Sequence, residues 1–393
     1  MTSELETLIR TRRDLHRHPE IGFQEHRTAG IAAERLRTAG YEVRTGIAET
    51  GLVGTLHGGA GDGPTLLLRA DMDALPIQEE CTHDFVSTVG GTMHACGHDA
   101  HVAIGLAVAE RLAAGRGGWR GTVKYVFQPA EEGLGGALRM VEEGVLEGVD
   151  AAMGLHVWTT LPSGTVGVVA GPFMASAAEF RITVRGKGGH GASPHETVDA
   201  VLVACQIVVA LQSIVARNIH PLHPAVVTVG AFHAGNAFNV IAETATLKGT
   251  VRAFDPELCE ELPRRIEQVV QGVCAAFGAE YELYYHRNTP PTVNDPRMTE
   301  LVRRTAAEIV GEERVHSDPG VRTMGAEDFG EFLLRVPGCY FFVGCRNEET
   351  GAAYPHHNPR FDICENSLPV AVDVLERAAL AYLAGGALTG DGR

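Results

Sequence analysis

The spacing of hydrophobic and polar residues divides the chain into alternating helices and strands. Apolar residues recur at helical spacing in four outer segments: 3–17, 24–39, 296–310 and 366–384. Continuous apolar runs, which are typical of strands buried inside a sheet, occur at 65–71, 122–127, 152–158 and 339–343. This alternation predicts an α/β catalytic domain with a mainly parallel sheet flanked by helices.

The pattern changes after about residue 174. Strands are predicted at 180–184, 226–232, 245–254 and 281–286, with helices at 197–217 and 256–277. The order β-α-β-β-α-β is that of a ferredoxin-like α+β domain. We therefore predict a domain of residues 174–287 inserted into an α/β domain formed by 1–173 and 288–393.

Composition narrows the possible partners and the compartment. The 393 residues carry a net charge of −16, which argues against nucleic acid or an anionic membrane as the main partner. The N-terminus lacks a basic segment leading into an apolar run, and no apolar stretch is expected to reach the roughly 20 residues of a membrane span. The eight cysteines are scattered, so we expect a reducing cytoplasm.

The stretch 92–101 concentrates side chains that bind metals. Cys96 and His98 are separated by one glycine, so both side chains can reach one point if the backbone is irregular there. Thiolate and imidazole are preferred ligands of zinc and similar divalent ions. For either residue alone, a buried cysteine beside unrelated histidines is the more ordinary explanation. Asp99 is predicted to cap the helix that follows.

Further candidates follow predicted strands. Asp71 and Asp73 end one strand, and one of them is expected to support a histidine ligand. Glu131 and Glu132 follow the next strand, where one can bind metal and the other can face substrate, although a solvated acidic turn is the alternative. Five candidate ligands result, of which the last is one of two adjacent histidines: Cys96, His98, Glu132, His156 and either His356 or His357.

Five ligands are too many for one tetrahedral zinc ion and suit two ions that share a bridging group. Two such ions lower the pKa of a shared water and polarise a carbonyl, and Glu131 would carry the proton from the water to a leaving amine. The predicted reaction is amide hydrolysis. A serine hydrolase has little support without a Gly-x-Ser-x-Gly motif, whereas a nucleophilic Cys96 would leave the other ligands unexplained.

Some histidines receive no metal role. His16 and His18 are assigned to the end of the first helix or to a substrate rim, and His94 and His101 are left without a role at the metals.

The chain resembles the dinuclear metal amidohydrolases related to aminoacylase and bacterial carboxypeptidases. It is most similar to the branch of hippurate hydrolases, N-acyl-amino-acid amidohydrolases and indole-acetyl-amino-acid hydrolases. The matching motifs extend over nearly the whole chain: LHRHPE at 15–20, RADMDALP at 69–76, HACGHD at 94–99, QPAEE at 128–132, GLH at 154–156, GKGGH at 186–190, NVI at 239–241 and HNPRF at 357–361.

The resemblance implies that Cys96, His98, Glu132, His156 and His357 hold two divalent ions and that Glu131 is the general base. It also implies that the inserted domain is a lid that carries dimer contacts.

Three residues of the inserted domain gain a role from the resemblance. His190 would bind the substrate carbonyl or the developing oxyanion, and Asn239 and Arg252 would contact substrate, although a surface arginine on a lid strand is the alternative for Arg252.

Three positions depart from the family pattern. Asp71 stands where the wider family has a histidine ligand, so the resemblance does not make it a ligand. Gly191 and Ala242 replace the usual alanine and proline, which predicts local changes in the lid without effect on the metal chemistry.

We therefore predict a metal-dependent hydrolase that cleaves N-acyl amino acids to a carboxylic acid and a free amino acid. A dipeptidase or carboxypeptidase with the same dinuclear site is the alternative within the enzyme class, and a non-catalytic binding protein for acyl amino acids is the alternative outside it. The ligand set admits zinc, manganese, cobalt or nickel. The partner is a small molecule, and the expected assembly is a homodimer or a dimer-based tetramer formed through the lid.

Overall fold

The computed structural model describes residues 3–385, which form two compact units. The first unit comprises the described residues of 1–173, 293–322 and 328–393, and the second comprises 174–292 and 323–327. The metal-ligand candidates all belong to the first unit.

The helices lie close to the segments with helical spacing. Their bounds are α1 Ser3–Arg17, α2 His26–Thr38, α3 His98–Ala114, α4 Gly136–Glu142, α5 Ala200–Ser213, α6 Pro256–Phe277, α7 Pro296–Val310, α8 Gly330–Leu333 and α9 Leu368–Leu383. A π-helical turn, Ile214–Asn218, extends α5. Asp199, Asp255 and Asp295 cap α5, α6 and α7 by accepting backbone N–H groups, which is why these three helices begin where they do.

The strands include every predicted one and several short additional ones. Their bounds are β1 Glu42–Ile47, β2 Gly51–His57, β3 Thr65–Asp71, β4 Thr122–Gln128, β5 Ala151–Pro162, β6 Val166–Gly167, β7 Gly171–Met174, β8 Ala177–Arg185, β9 Gly189–His190, β10 Ala225–Ala234, β11 Val240–Ile241, β12 Thr244–Ala253, β13 Glu280–Thr289, β14 Thr292–Asn294, β15 Val315–His316 and β16 Gly338–Arg346.

The sheet of the first unit has the order β1-β2-β4-β3-β5-β16-β6-β15. Its central strands β4, β3, β5 and β16 are parallel, whereas β1 and β2 pair antiparallel with their neighbours. The short strand β6 is antiparallel to β16 and parallel to β15. The central strands are buried over almost their whole length, in agreement with their continuous apolar sequences. The predicted α/β fold is confirmed, with antiparallel strands added at the edges.

The second unit is a four-stranded antiparallel sheet with the order β10-β12-β8-β13, and α5 and α6 contribute apolar side chains to its core. Numbered along the chain, these strands have the spatial order 2-3-1-4 and the connectivity β-α-β-β-α-β, so the ferredoxin-like prediction is confirmed. A small two-stranded sheet, β9 with β11, brings Val240 opposite His190.

Two local predictions are wrong. Asp99 does not cap α3, because the helix begins at His98 after Gly97 and the Asp99 carboxylate instead accepts from Arg12 and His16. The expectation that no stretch would have the length of a membrane span is also wrong. The segment Ala200–Asn218 is 19 residues long with a mean hydropathy of 1.9, which meets the criterion by length and composition alone. A third of its most apolar window is buried inside the unit.

Candidate active site and metal centre

Gly97 allows Cys96 and His98 to converge on one point. It has a φ of 88°, a left-handed conformation that glycine adopts without strain, and it directly precedes α3. A Cβ atom at this position would lie 2.5 Å from Cγ2 of Val157 on β5. The irregular backbone that the sequence required between the two side chains is therefore present, and it permits close packing against β5.

The five candidate ligands form one cluster of donor atoms. Donor atoms of Cys96, His98 and His156 lie within 4.8 Å of one another, and so do those of Cys96, Glu132 and His357. Sγ of Cys96 is 3.5 Å from Nε2 of His156, and Nε2 of His357 is 3.2 Å from Oε1 of Glu132. The fold thus brings together residues that are about 260 positions apart in the sequence.

His156 presents its Nε2 atom to this cluster. Its Nδ1–H donates to the carbonyl oxygen of Val157 at 2.7 Å, which leaves the Nε2 lone pair directed at Cys96. His156 lies inside β5 and not after it, so the expectation that every ligand follows a strand is wrong for this residue. Because Arg69 pairs with Gly154, His156 lies level with Asp71, the last residue of β3.

The structure distinguishes the two adjacent histidines. His356 is hydrogen-bonded through both nitrogens, with Nε2 donating to the Val157 carbonyl at 2.9 Å and Nδ1 accepting from the Thr159 hydroxyl at 3.2 Å. His357 has a φ of 65°, and its N–H donates to the carbonyl of Ala95 at 2.8 Å. This conformation directs the His357 ring to Glu132, whereas His356 supports the loop.

Asp71 and His101 form a buried pair beside the cluster. The N–H of Val157 donates to Nε2 of His101 at 2.9 Å, so the ring proton is on Nδ1 and is donated to Asp71 at 2.6 Å. With both nitrogens engaged, His101 has no lone pair left for a metal, although the donor atoms of Asp71, His98 and His101 lie close together. Nε2 of His98 is 3.8 Å from Asp71.

Asp73 holds the loop that carries the glutamate pair. Its two carboxylate oxygens accept the N–H groups of Glu131 and Glu132 at 3.0 and 2.9 Å, and Oδ1 is 3.3 Å from Nδ1 of His98. Of Asp71 and Asp73, Asp73 is therefore the aspartate that supports the candidate ligand His98, by contacting its Nδ1 atom. Ala130 precedes the pair with a φ of 55°, a conformation that is costly for a residue with a side chain and is found at functional sites.

Arg69 and Asp328, to which the sequence assigned no role, bind Gln128 at the start of the loop that carries the glutamate pair. Asp328 accepts from Gln128 at 2.7 Å and from Arg69 at 3.0 Å, and Arg69 also donates to Gln128 at 2.8 Å. All three side chains are buried. A charged residue in the interior of a predicted buried strand, such as Arg69, was the sequence signal that could have revealed this network.

The electrostatics of the cluster favour a cation. Burial opposes the charged form of His98, but Asp71 and Asp73 outweigh it and raise its pKa to about 10. Burial, followed by the charge of Glu132, raises the pKa of the Cys96 thiol well above its usual value. Nε2 of His98 is buried and makes no hydrogen bond to any residue from 3 to 385. A divalent ion would give that nitrogen a partner and would stabilise the thiolate of Cys96, so the donor set fits such an ion.

Three candidate residues, His190, Asn239 and Arg252, belong to the second unit. His190 and Asn239 are exposed neighbours in the β9–β11 region, where the N–H of Gly191 donates to the Asn239 carbonyl at 2.9 Å. A side chain at position 191 would meet that carbonyl at 2.9 Å, which explains the glycine. Arg252 is half-buried on β12 and donates to the carbonyl of Val251 at 3.0 Å.

His16 lies in the last turn of α1, in agreement with its assignment to a helix end, but it is not on a substrate rim. His16 is completely buried, and Nδ1 lies 2.8 Å from Asp99. His94 is also buried, and neither of its nitrogens has a hydrogen-bond partner among the described residues. His18 is the half-exposed member of the group and donates to the carbonyl of Asp14.

Thiolate, imidazole and carboxylate donors gathered beside a spare glutamate at the edge of an α/β sheet are typical of metal-dependent hydrolases. Comparison with known proteins agrees with this class. Residues 67–381 match the model of peptidase family M20/M25/M40, and the chain belongs to this family. It is a metal-dependent amide hydrolase that uses two divalent ions, as the resemblance in the sequence implied.

Three similar proteins illustrate the range of the family. Thermostable carboxypeptidase 1 of Saccharolobus solfataricus is 40% identical over 95% of this chain and 93% of its own. N-acetylcysteine deacetylase of Bacillus subtilis is 39% identical over 96% of this chain and 97% of its own. The crystal structure of the Bacillus subtilis YXEP protein, a dinuclear metal-binding peptidase of the M20 family, has a TM-score of 0.85 at 35% identity and covers 98% of this chain and 99% of that chain.

Proposed function

We propose that the chain hydrolyses the amide bond of N-acyl amino acids, such as N-acetyl, hippurate-like or other aryl-acyl amino acids, to a carboxylic acid and a free amino acid. The observation that carries this proposal is the cluster of five donor residues with Glu131 beside it. The similarity to a deacetylase of N-acetylcysteine supports an acyl amino acid as the substrate class.

The proposed metal ligands are Cys96, His98, Glu132, His156 and His357. Three features support this set: the short distances between donor atoms, the Nε2 lone pair of His156 that is directed at Cys96, and the unpartnered Nε2 of His98. Two ions bound there would lower the pKa of a water and polarise the scissile carbonyl.

Glu131 is the proposed general base. Its carboxylate is about nine-tenths buried, and Oε2 is 4.0 Å from Nε2 of His98, so it lies at the cluster without being one of the five ligands. Asp73 fixes the backbone of both glutamates, which keeps the Glu131 carboxylate in place. Glu131 would accept a proton from the attacking water and then deliver it to the nitrogen of the leaving amine.

His190 is the proposed donor to the substrate carbonyl. The N–H of Ala192 donates to Nδ1 of His190 at 3.0 Å, so the ring proton is on Nε2. The exposed Nε2–H is then a neutral hydrogen-bond donor of the kind that stabilises a developing oxyanion. Asn239, next in space through the β9–β11 pairing, is the proposed second contact to substrate.

Arg252 is proposed to pair with the free carboxylate of the amino-acid moiety of the substrate. Among the residues that the structure describes, it makes no ion pair with a carboxylate, and burial lowers the pKa of its guanidinium. An unneutralised, half-buried guanidinium favours binding of an anion with bidentate geometry.

We further propose a homodimer formed through the second unit. The outer face of α5 exposes apolar side chains, of which Leu202 is 46% and Val209 69% exposed. Beside it, β10 is an edge strand of the four-stranded sheet and also exposes Phe232. An apolar helix face next to an open strand edge is the kind of surface that a second copy covers in a two-fold dimer. All eight cysteines are free thiols, which supports a cytoplasmic location.

Two other functions would use the same cluster. A dipeptidase or carboxypeptidase activity is favoured by the similarity to thermostable carboxypeptidase 1, since a peptide is an acyl amino acid whose acyl group is itself an amino acid. A non-catalytic binding protein would have no need of Glu131.

A substrate panel separates these functions. The protein is loaded with zinc, manganese, cobalt or nickel. It is then assayed with N-acetyl, N-benzoyl and indole-acetyl amino acids, with dipeptides and with peptide substrates of carboxypeptidases. We expect faster turnover of acyl amino acids than of peptides, loss of activity on chelation and recovery on addition of metal. Preference for peptides would favour the peptidase, and binding of substrate without turnover in every metal form would favour the binding protein.

A further inference from the structure

A second group of metal-binding side chains lies apart from the five proposed ligands. Residues 79–82 belong to no helix or strand, and the chain then bends at 83 and turns at 84–85. Glu79, Cys81, His83 and Phe85 face inward, whereas the intervening residues are exposed. The inward face therefore carries a carboxylate, a thiol and an imidazole at successive positions, and the buried His16 of α1 lies against it.

The donor atoms converge on Oε1 of Glu79. Nε2 of His16 is 3.3 Å and Nε2 of His83 is 3.4 Å from this oxygen, and the three donor atoms all lie within 4.8 Å of one another. The other oxygen of Glu79 accepts the N–H of Ser87 at 2.6 Å, which fixes the carboxylate. The Cys81 thiol donates to the Phe361 carbonyl at 3.5 Å, and burial, followed by the charge of the neighbouring Glu79, raises its pKa to about 12.

These separations match the edges of a zinc tetrahedron. With bonds of about 2.0–2.2 Å to nitrogen and oxygen, adjacent ligand atoms of a tetrahedral zinc ion are roughly 3.3–3.5 Å apart. Hydrogen bonds from nitrogen to oxygen are usually about 2.7–3.2 Å long. The His83–Glu79 distance exceeds that range, whereas the His16–Glu79 contact is a long hydrogen bond, and both distances agree with the tetrahedral spacing.

His83 is held in place and lacks a partner. Its ring is stacked on Phe85 with the centroids 3.7 Å apart and an interplanar angle of 9°. Both ring nitrogens are buried, and neither makes a hydrogen bond with a residue in the described part of the chain. Buried polar atoms normally have a partner, so His83 is a ligand-type side chain without its counterpart. Burial lowers its pKa, which keeps the ring in the neutral form that binds metals.

Asp99 orients the His16 ring toward the group. It lies 2.8 Å from Nδ1 of His16, so that Nε2 points to Glu79. A carboxylate on the far nitrogen is the usual support of a histidine ligand, because it fixes the ring and raises the basicity of the other nitrogen.

The surrounding charges leave an excess of carboxylates. Asp99, Glu79, Asp362 and Glu365 surround the group, and the guanidinium groups that pair with them are those of Arg12 and Arg13. Four negative charges against two positive ones leave two charges, which a divalent ion would neutralise with His16 in its neutral form. The alternative is a protonated His16, which would neutralise one of them.

We propose that His16, Glu79 and His83, with Cys81 as the fourth ligand, bind a third divalent cation of the zinc class. The group shares no donor atom with the five ligands of the proposed dinuclear centre. It connects α1 and the 79–85 segment to the C-terminal part of the first unit, since the Cys81 thiol is 3.5 Å from the Phe361 carbonyl and the N–H of Glu80 donates to the Pro359 carbonyl at 2.8 Å. Its role would be structural, because with Cys81 bound all four ligand positions would be supplied by protein.

The test is the metal content of the purified full-length protein after zinc loading and gel filtration. His83→Asn and Cys81→Ser are compared with the wild type, with His18→Asn and Cys205→Ser as matched controls on a half-exposed histidine and an exposed thiol. We expect His83→Asn to contain one zinc equivalent per subunit less than the wild type and both controls to be unchanged. After loading with cobalt, Cys81→Ser should lose part of the thiolate-to-cobalt absorption, while the part due to Cys96 remains.

The outcomes separate this proposal from the proposed function. Turnover at saturating metal should be retained within about twofold in both variants, because neither side chain belongs to the proposed catalytic machinery, and the midpoint of thermal unfolding should fall. Equal zinc content in wild type and His83→Asn, together with an unchanged cobalt spectrum in Cys81→Ser, would overturn the third site and leave a protonated His16 as the explanation. Neither result alters the expected dependence of hydrolysis on the dinuclear centre.

Discussion

Glu131 and Glu132 are adjacent in the chain but are directed to different tasks by their surroundings. Oε1 of Glu132 is 3.2 Å from Nε2 of His357, whereas Oε2 of Glu131 is 4.0 Å from Nε2 of His98 and its carboxylate is buried at the cluster. The strained Ala130 and the two hydrogen bonds to Asp73 make this divergence possible, because they fix a turn between the two side chains.

Replacing Glu131 tests its assignment as the base. Glu131→Gln preserves size and removes the basic carboxylate, so we expect kcat to fall by about 10²–10⁴-fold. Both metals should be retained, which is measured by metal analysis beside steady-state kinetics. Glu132→Gln is the matched comparison, since it removes a proposed ligand and should lower metal content. Near-normal turnover of fully loaded Glu131→Gln would show that another group carries the proton.

His190 offers a similar separation of catalysis from metal binding. The hydrogen bond from Ala192 leaves Nε2–H as the outward donor, so His190→Ala should lower kcat by about 10²–10³-fold through loss of oxyanion stabilisation. Metal content should not change. His195→Ala alters another exposed histidine of the same unit and serves as the control. Kinetics equal to those of the wild type would refute the catalytic role of His190.

At the level of elements, the junction between the 92–97 loop and α3 matters most. Gly97 lies where the chain must turn with a positive φ, present two ligand candidates to one point and still pack against β5. A helix cap by Asp99 was expected here, but Asp99 is used to hold Arg12 and His16 of α1. The start of α3 is therefore determined by the glycine and by contacts with another helix.

Gly97→Ala should disrupt this junction. The new Cβ would lie 2.5 Å from Val157, and the left-handed φ would become strained, at a cost of about 1–3 kcal/mol in the free energy of unfolding. We also expect weaker metal retention, because Cys96 and His98 would shift relative to each other. Urea denaturation and metal titration measure the two effects. Gly118→Ala, where a Cβ meets no atom within 4 Å, is the control, and equal stability of the two variants would contradict the prediction.

At the level of the whole molecule, the second unit exposes an apolar surface on one face of α5. The buried face of α5 contains five side chains that pack into the unit, yet its other face exposes Leu202 and Val209. This two-sided hydrophobicity explains why the segment meets the composition of a membrane span, since a helix covered on both faces needs few polar residues.

The dimer prediction follows from this surface. Leu202→Lys combined with Val209→Lys should shift the protein from dimer to monomer, because two buried charges would oppose association. Light scattering after size-exclusion chromatography measures the mass. Leu334→Lys, at a 58% exposed position of the first unit, should leave the mass unchanged. A wild type that is monomeric at micromolar concentration would remove the basis of the proposal.

The sequence by itself determined most of the elements of this protein and the identities of its candidate ligands. Continuous apolar runs defined β3, β4 and β16, because a strand buried on both faces has no polar side to vary. The sequence also indicated Cys96, His98, Glu132 and His156, because thiol, imidazole and carboxylate groups are rare at the ends of buried strands and attract attention there. The edge strand β1 escaped, since its exposed side chains lack that pattern.

Only the tertiary structure decided which of these groups act together. The resemblance favoured His357 over His356, but the physical reason is that His356 is hydrogen-bonded to Val157 and Thr159, residues that are about 200 positions away in the sequence. The convergence of His16 on Glu79 and His83 depends on a contact between α1 and the 79–85 segment. Such choices are made by three-dimensional distances and by the orientation of lone pairs, and neither is encoded in the spacing of residues along the chain.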